Sequence, residues 1–127
     1  MYFVVKAALA DPAAESFSFD EKTMYGGKKI QEGDDVYIFA SDHKGGKGLC
    51  AKGVVTAAKA GEGIRMSVKV KRTAKARYPL GREELKSHRE NEEESAEAEL
   101  AWRLYHQATN KISGISELTA AFLDGFF

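Results

Sequence analysis

Aromatic rings interleaved with polar side chains are the residues of this sequence best suited to recognising a ligand. The rings belong to Tyr2, Phe3, Tyr25, Tyr37, Phe39, Trp102 and Tyr105, and the polar groups belong to Lys6, Ser41, Asp42 and His43. Stacking on aromatic rings, combined with a polar group that reads one edge, is how proteins hold an unstacked base. Most of these rings must also fill the core, so about two or three of them remain to line a pocket.

A basic stripe is the second feature of the sequence. Between residues 64 and 71, apolar residues alternate with polar ones, which predicts a half-buried antiparallel strand. The polar positions include Arg65, Lys69 and Lys71, and no acidic residue occurs from position 65 through 77. Such a surface suits phosphate groups. An ordinary solvated strand face, on which lysines discourage edge pairing, explains the pattern equally well.

Lys6 interrupts an apolar run over residues 1–9 that predicts an N-terminal strand. Two interpretations of this lysine stay open. Lys6 can be an exposed position of a strand with one solvated face. It can also point into a pocket, where its amine meets an anion or a carbonyl group.

Residues 41–48 form a glycine-rich polar segment between apolar runs at 36–40 and 49–55. This pattern predicts a hairpin with a flexible cationic loop, whose Lys44 and Lys47 are further candidates for phosphate contacts. A nucleotide-binding loop leads into a helix N-terminus, whereas this segment leads into a predicted strand. We therefore do not expect it to bind a nucleotide as such a loop does.

The usual spacings of catalytic and metal-binding residues are absent from the sequence. It contains no H-E-x-x-H, no G-x-S-x-G, no Walker glycine loop and no paired cysteines. The three histidines are scattered, and the single Cys50 excludes an internal disulfide. We expect no metal, no cofactor and no catalytic residue.

The chain has 127 residues and a formal net charge of zero. This length suits one domain over residues 1–127. Because the net charge is zero, any attraction to nucleic acid must come from a local patch. The sequence shows neither a leader nor an apolar run of about twenty residues, the length that crosses a bilayer. We expect a monomeric, cytoplasmic protein that does not bind membranes.

Further elements complete the predicted fold. Residues 10–20 resemble a loop held down by Phe17 and Phe19, and residues 116–124 predict a helix capped by Ser116. Residues 82–86 predict a short helix. For residues 100–107 we favour a strand, although a helical spacing also fits them.

Several segments, in the same order along nearly the whole chain, resemble the EVE domain of the PUA-like superfamily, a relative of the YTH and ASCH modules. The first strand at 2–6 ends in lysine as the family's does, and residues 29–41 are similar to its strand led by Gly-Asp. The other similar segments are 53–56, 68–71, 79–86, 114–116 and 121–123. The sequence departs from the family at Tyr2, where tryptophan is frequent, and at residues 23–27.

The resemblance implies an α+β fold, a mixed and mainly antiparallel β pseudo-barrel with flanking short helices. It also implies a pocket that accepts a flipped, often modified, base. By position, Lys6, Tyr25, Ser41 and Trp102 would lie at that pocket.

Four functions are consistent with these features, one of which is a purely structural protein-interaction domain. The leading hypothesis is a non-catalytic reader that captures one base of a DNA or RNA while basic residues contact phosphates. The second is an ASCH-like accessory protein that binds RNA. The third is a small nucleoside-processing enzyme on the same fold, with Lys6 and Tyr25 as acid-base groups.

Overall fold

A computed structural model describes residues 2–7, 14–25, 30–40, 48–60, 65–78, 80 and 111–127. Positions 7, 20–25, 60, 65 and 111 are described by their backbone alone. Several sequence predictions lie outside the described residues: the helix at 82–86, the strand at 100–107, and the sites at Ser41, Lys44, Lys47 and Trp102.

Six strands and one helix form the described part of the chain. They are β1 (Tyr2–Ala7), β2 (Ser16–Tyr25), β3 (Asp35–Ala40), β4 (Gly48–Ala60), β5 (Arg65–Lys75), β6 (Lys111–Ile115) and α1 (Glu117–Asp124). The strand order β1-β3-β4-β5-β2-β6 returns from β6 to β1 and forms a barrel. The β1–β3 and β2–β6 pairs are parallel, and the other four pairs are antiparallel. The predicted α+β fold, with a mixed and mainly antiparallel sheet, is confirmed.

Alternation along the strands gives the sheet two buried surfaces. The inner core fills the barrel and comprises Phe3, Val5, Phe17, Phe19, Ile30, Val36, Ile38, Ala51, Val55, Met66, Val68, Val70 and Ile112. The outer core lies on the other face and comprises Val4, Tyr37, Phe39, Leu49, Leu80, Ala120 and Leu123. Because β1 and β3 contribute to both, their sequences are continuous apolar runs rather than alternating ones.

Strand β2 differs from the sequence prediction. Phe17 and Phe19 are buried in the inner core, while Ser16 and Ser18 between them are exposed. All four residues pair with β5 in antiparallel register. The predicted loop over residues 10–20 is therefore wrong from Ser16 onward, because a serine–phenylalanine alternation is the two-residue period of a half-buried strand.

The helix α1 begins where the sequence predicts. Ser116 is its N-cap, and the hydroxyl of Ser116 accepts a hydrogen bond from the backbone N–H of Thr119 at 3.2 Å. Ala120 and Leu123 place one face of α1 in the outer core. In the parts of the chain that the structure describes, no helix is long and apolar enough to span a bilayer.

Candidate nucleic-acid interface

The exposed side of β5 carries two lysines. Lys69 and Lys71 are exposed and alternate with Val68 and Val70 of the inner core. We call these two lysines the basic face. Among the described residues, no carboxylate lies within salt-bridge distance of either amine. Their charge is therefore not neutralised by this part of the chain, and it attracts anions.

Small polar residues lie beside the basic face. Lys69 pairs with Ser18 of β2, and Lys71 pairs with Ser16. Both serines are exposed, so no bulky side chain on β2 screens the two lysines from solvent at these positions. The predicted phosphate contacts Lys69 and Lys71 thus lie on an accessible surface, although their role stays a prediction.

A second line of basic positions crosses the sheet from the first residue of β5. Arg65 pairs with Thr23 of β2, Thr23 with Lys111 of β6, and Lys111 with Lys6 of β1. We call these four positions the transverse row. With about 4.8 Å between neighbouring strands, the row is about 14 Å long. It connects the strand of the basic face with Lys6, and neither Lys111 nor the row was foreseen from the sequence.

Lys6 is buried, with 8% of its surface exposed. It pairs with Phe39 of β3, and it lies two residues from Val4 on the same strand. Val4 and Phe39 belong to the outer core, so Lys6 occupies the outer face of the sheet and not the barrel interior. The interpretation of Lys6 as an exposed strand position is therefore wrong.

Ser113 of β6 is a second buried polar residue on this outer face. Its neighbour Ile112 belongs to the inner core, whereas Ile115 packs against the outer core, which fixes the face of Ser113. Ser113 has only 1% of its surface exposed. Among the described residues, its hydroxyl has no hydrogen-bond partner. The only sequence signal for this site is a polar residue inside a short apolar run.

The register brings two of the predicted pocket residues to the same part of the sheet. Tyr25 pairs with Ser113, and Ser113 pairs with Val4, two residues before Lys6. From strand spacing and rise, the Cα atoms of Tyr25 and Lys6 are on the order of 12 Å apart. One heterocycle between β2 and β1 would lie near both positions, with Ser113 between them.

Three rings considered for the pocket belong to the cores instead. Phe3, Tyr37 and Phe39 are fully buried, at 0% exposure. Phe3 fills the barrel, and the other two pack beneath α1. These rings stabilise the sheet and are not available to stack on a ligand.

A polar network attaches α1 to the sheet. The Tyr37 hydroxyl donates to Asp124 Oδ1 at 2.6 Å, and Lys52 Nζ donates to the same oxygen at 2.8 Å. Burial and the adjacent carboxylate raise the pKa of Tyr37 above its ordinary range. Partial burial opposes ionisation of Asp124, but the bonds from Lys52 and Tyr37 outweigh it and lower the pKa of Asp124. The satisfied bonds give this network a structural role.

Cys50 does not have the properties of a reactive thiol. Burial raises its pKa to about 11, so the thiol is protonated at neutral pH. Its sulfur lies 3.3 Å from the Ile38 carbonyl oxygen and donates to it. Across the described ranges, no group of three histidine, cysteine, aspartate or glutamate residues is arranged to hold a metal ion.

Comparison with known proteins identifies the fold. No protein-family model matches the chain, and no curated protein sequence matches it significantly. Among solved structures, the DUF55 domain of human thymocyte nuclear protein 1 is 11% identical, covers 96% of this chain and 95% of its own, and has a TM-score of 0.64. The chain shares the fold of that domain.

Two further structures have the same fold. Human thymocyte nuclear protein 1 in complex with DNA that contains 5-methylcytosine is 11% identical, with a TM-score of 0.60 and coverage of 95% of this chain and 94% of its own. A mutant ASCH protein from Zymomonas mobilis is 10% identical, with a TM-score of 0.54 and coverage of 98% and 96%. The resemblance to EVE and ASCH modules is thus confirmed as a likeness of fold.

Proposed function

We propose that this chain is a nucleic-acid-binding reader that captures one flipped, modified base on the outer face of its sheet and does no chemistry on it. The observation that carries the proposal is the basic face. Lys69 and Lys71 form a local cationic surface without carboxylate partners among the described residues, on a chain whose net charge is zero. A local patch of this kind is what a neutral protein needs to attract a polyanion.

The shared fold supports the same proposal. The human protein of this fold was crystallised with DNA that contains 5-methylcytosine. In this chain, Lys69 and Lys71 contact phosphates, together with Arg65 and the loop lysines Lys44 and Lys47. Phosphate contacts give affinity and register, whereas contacts with the base give selectivity.

The base lies over the junction of β2, β6 and β1. Lys6 and Tyr25 border this junction through the register described above. Ser41 and Trp102 complete the pocket from the segments outside the described residues. A ring that stacks on the base and a polar group that reads its edge are the two requirements of such a site.

Fluorescence titration tests the proposal with labelled single-stranded and duplex oligonucleotides, each with and without 5-methylcytosine. The double variant Lys69→Gln/Lys71→Gln is compared with the wild-type protein over about 50–200 mM salt. We expect weaker binding and a salt slope reduced by about two, because each lysine that contacts a phosphate contributes about one.

The matched control is Leu118→Glu/Ala121→Glu, which changes the net charge by the same amount at two exposed positions of α1. If the control weakens binding as much as the lysine variant does, the attraction is global and the basic face is not the interface. Absence of binding to every oligonucleotide at low salt contradicts the proposal as a whole.

RNA is the second candidate for the bound nucleic acid, and the fold shared with an ASCH protein is the observation that favours testing it. The titration is therefore repeated with RNA of identical sequence. A preference for RNA that disappears when 2′-deoxynucleotides are substituted identifies a reader of the 2′-hydroxyl.

A further inference from the structure

We infer that Lys59 of β4 is a third phosphate-contacting residue, and that the bound strand leaves the captured base in one direction, over Lys59, Lys69 and Lys71. The inference rests on the proposed function, since it says where the nucleic acid continues beyond the base. The phosphate contacts predicted from the sequence did not include Lys59.

Strand register places Lys59 on the same surface as the basic face. Lys59 pairs with Ser67 of β5, and Lys69 is two residues further along that strand, so the three side chains lie on one side of the sheet. Lys59 is exposed, and no carboxylate of the described residues lies within salt-bridge distance of its amine. The outer face therefore presents three charged amines to solvent, and not only the two of the basic face.

The three lysines are spaced like the phosphates of one strand. The Cα atoms of Lys69 and Lys71 are about 7 Å apart along β5. Lys59 is the diagonal neighbour of Lys69 across the β4–β5 pair, at about 7–8 Å. Successive phosphates of one nucleic-acid strand have a separation of the same order, so three consecutive phosphates can contact the three amines at once.

The side chains beside the basic face are small. None is larger than valine, so the sugar–phosphate backbone of a ligand can approach the sheet closely enough for the amines to reach it. These neighbours are Ala57 and Ser18 beside Lys69, and Val54 and Ser16 beside Lys71.

Two other lysines of β4 and β5 do not belong to this set. Lys52 pairs with Tyr37 and shares the outer face, but its amine already donates to Asp124 at 2.8 Å. Lys75 lies beyond a register shift and pairs with Ala51 of the inner core, so it is on the opposite side of the sheet from Lys69. Lys75 is exposed, and it provides a matched control of equal charge.

All three lysines lie on one side of the proposed base site. That site borders β5 at its first residue, Arg65, which pairs with Thr23 of β2. The rows of Lys59, Lys69 and Lys71 follow in that order along β5, away from Arg65. Phosphates on one side of the captured base therefore meet the three amines, and phosphates on its other side do not.

The test uses the full chain and four proteins: wild type, Lys59→Gln, Lys69→Gln/Lys71→Gln and the control Lys75→Gln. The probes are single-stranded oligonucleotides with one 5-methylcytosine in the middle. Their linkages are all charged, or three consecutive linkages on the 5′ side or on the 3′ side of that base are uncharged methylphosphonates. Fluorescence anisotropy gives affinities over about 50–200 mM salt.

We expect Lys59→Gln to reduce the salt slope by about 0.7, the contribution of one phosphate of a single strand, and Lys75→Gln to leave it unchanged. For wild type, methylphosphonates on one side of the base should reduce the slope by about 2 and remove the difference from Lys59→Gln. Methylphosphonates on the other side should preserve that difference. Because Lys59 is exposed, its variant should keep the melting temperature of wild type.

The outcomes separate the two proposals. If wild type binds no oligonucleotide at low salt, both fail. If Lys69→Gln/Lys71→Gln lowers the slope but Lys59→Gln does not, only the inference is overturned. It is also overturned if Lys75→Gln lowers the slope as much as Lys59→Gln does, or if methylphosphonates on the two sides of the base have equal effects.

Discussion

Tyr37 and Ser113 are two buried hydroxyl residues on the same row of the sheet, one on each side of Val4. Both residues lie on the outer face, yet their hydroxyls differ in their hydrogen bonding. The Tyr37 hydroxyl donates to Asp124 at 2.6 Å and lies 3.2 Å from the Ala120 carbonyl oxygen. The Ser113 hydroxyl has no partner among the described residues.

The difference in hydrogen bonding divides the outer face into two regions. A buried polar group with its bonds satisfied fixes one packing arrangement, and at Tyr37 it fixes α1 on the sheet. A buried polar group without a partner lowers stability, so folding alone does not explain why it is there. The described parts of the outer face thus contain a structural half beneath α1 and a candidate recognition half at β6.

The largest effect is expected from Leu123→Ala, which tests the structural half. Leu123 of α1 is fully buried in the outer core, so its truncation should lower the free energy of unfolding by about 2–5 kcal/mol. Leu118→Ala is the control in the same helix, since Leu118 is 68% exposed, and it should change stability by less than about 0.5 kcal/mol. Urea unfolding measures both, and equal effects would show that α1 does not depend on the outer core.

Tyr37→Phe removes the hydrogen-bonded hydroxyl and leaves the ring in place. It should lower the free energy of unfolding by about 1–2 kcal/mol, because the bond to Asp124 is lost while the ring still packs. Tyr78→Phe is the matched control at a residue that is 59% exposed, and it should be neutral. A Tyr37→Phe protein as stable as wild type would remove the proposed difference between the two hydroxyls.

The pH dependence of stability provides a further test of the hydrogen bonds around Tyr37. The pKa of Asp124 is lower in the folded protein than its ordinary value of 3.8, because the bonds from Lys52 and Tyr37 outweigh partial burial. The resulting stabilisation is present above the unfolded pKa and is lost as the pH falls through the folded pKa. Since the carboxylate is half exposed, the effect should stay below about 1 kcal/mol.

Urea unfolding of wild type and Asp124→Asn between about pH 5 and 2 measures this effect. The variant should lose less stability than wild type over that range, and parallel curves would contradict the assignment.

The smallest expected quantity is the coupling between the two hydroxyls. Tyr37 and Ser113 are about 10 Å apart across two strand spacings and share no bond, so their effects on stability should add within about 0.5 kcal/mol. A double-mutant cycle with Tyr37→Phe and Ser113→Ala measures the coupling. A larger coupling would place Ser113 in the Tyr37 network and end the distinction between the two halves.

Local patterns in the sequence were sufficient for several elements. The alternation that predicted β5, the apolar run that predicted β3 and the Ser116 cap of α1 are all found in the structure. These signals depend on neighbours within a few residues, so they can be read without knowing the fold. Residues 16–19 also alternate between polar and apolar side chains. They were predicted as part of a loop because this alternation is only four residues long.

The candidate site depended on contacts that are distant in the sequence. Ser113 became a candidate because it pairs with Tyr25 and Val4, and Lys111 became one because it pairs with Thr23 and Lys6. Strand pairing and register set these neighbours, and no local pattern encodes them.

By itself the sequence determined which residues alternate, which cap a helix and which carry charge, because those properties belong to residues a few positions apart. Tertiary structure alone decided that Lys6 is buried, that the Ser113 hydroxyl has no hydrogen-bond partner among the described residues and that three basic positions fall on one row. The physical reason is that burial and hydrogen bonding depend on which strands lie side by side, and that arrangement is a property of the closed set of pairings.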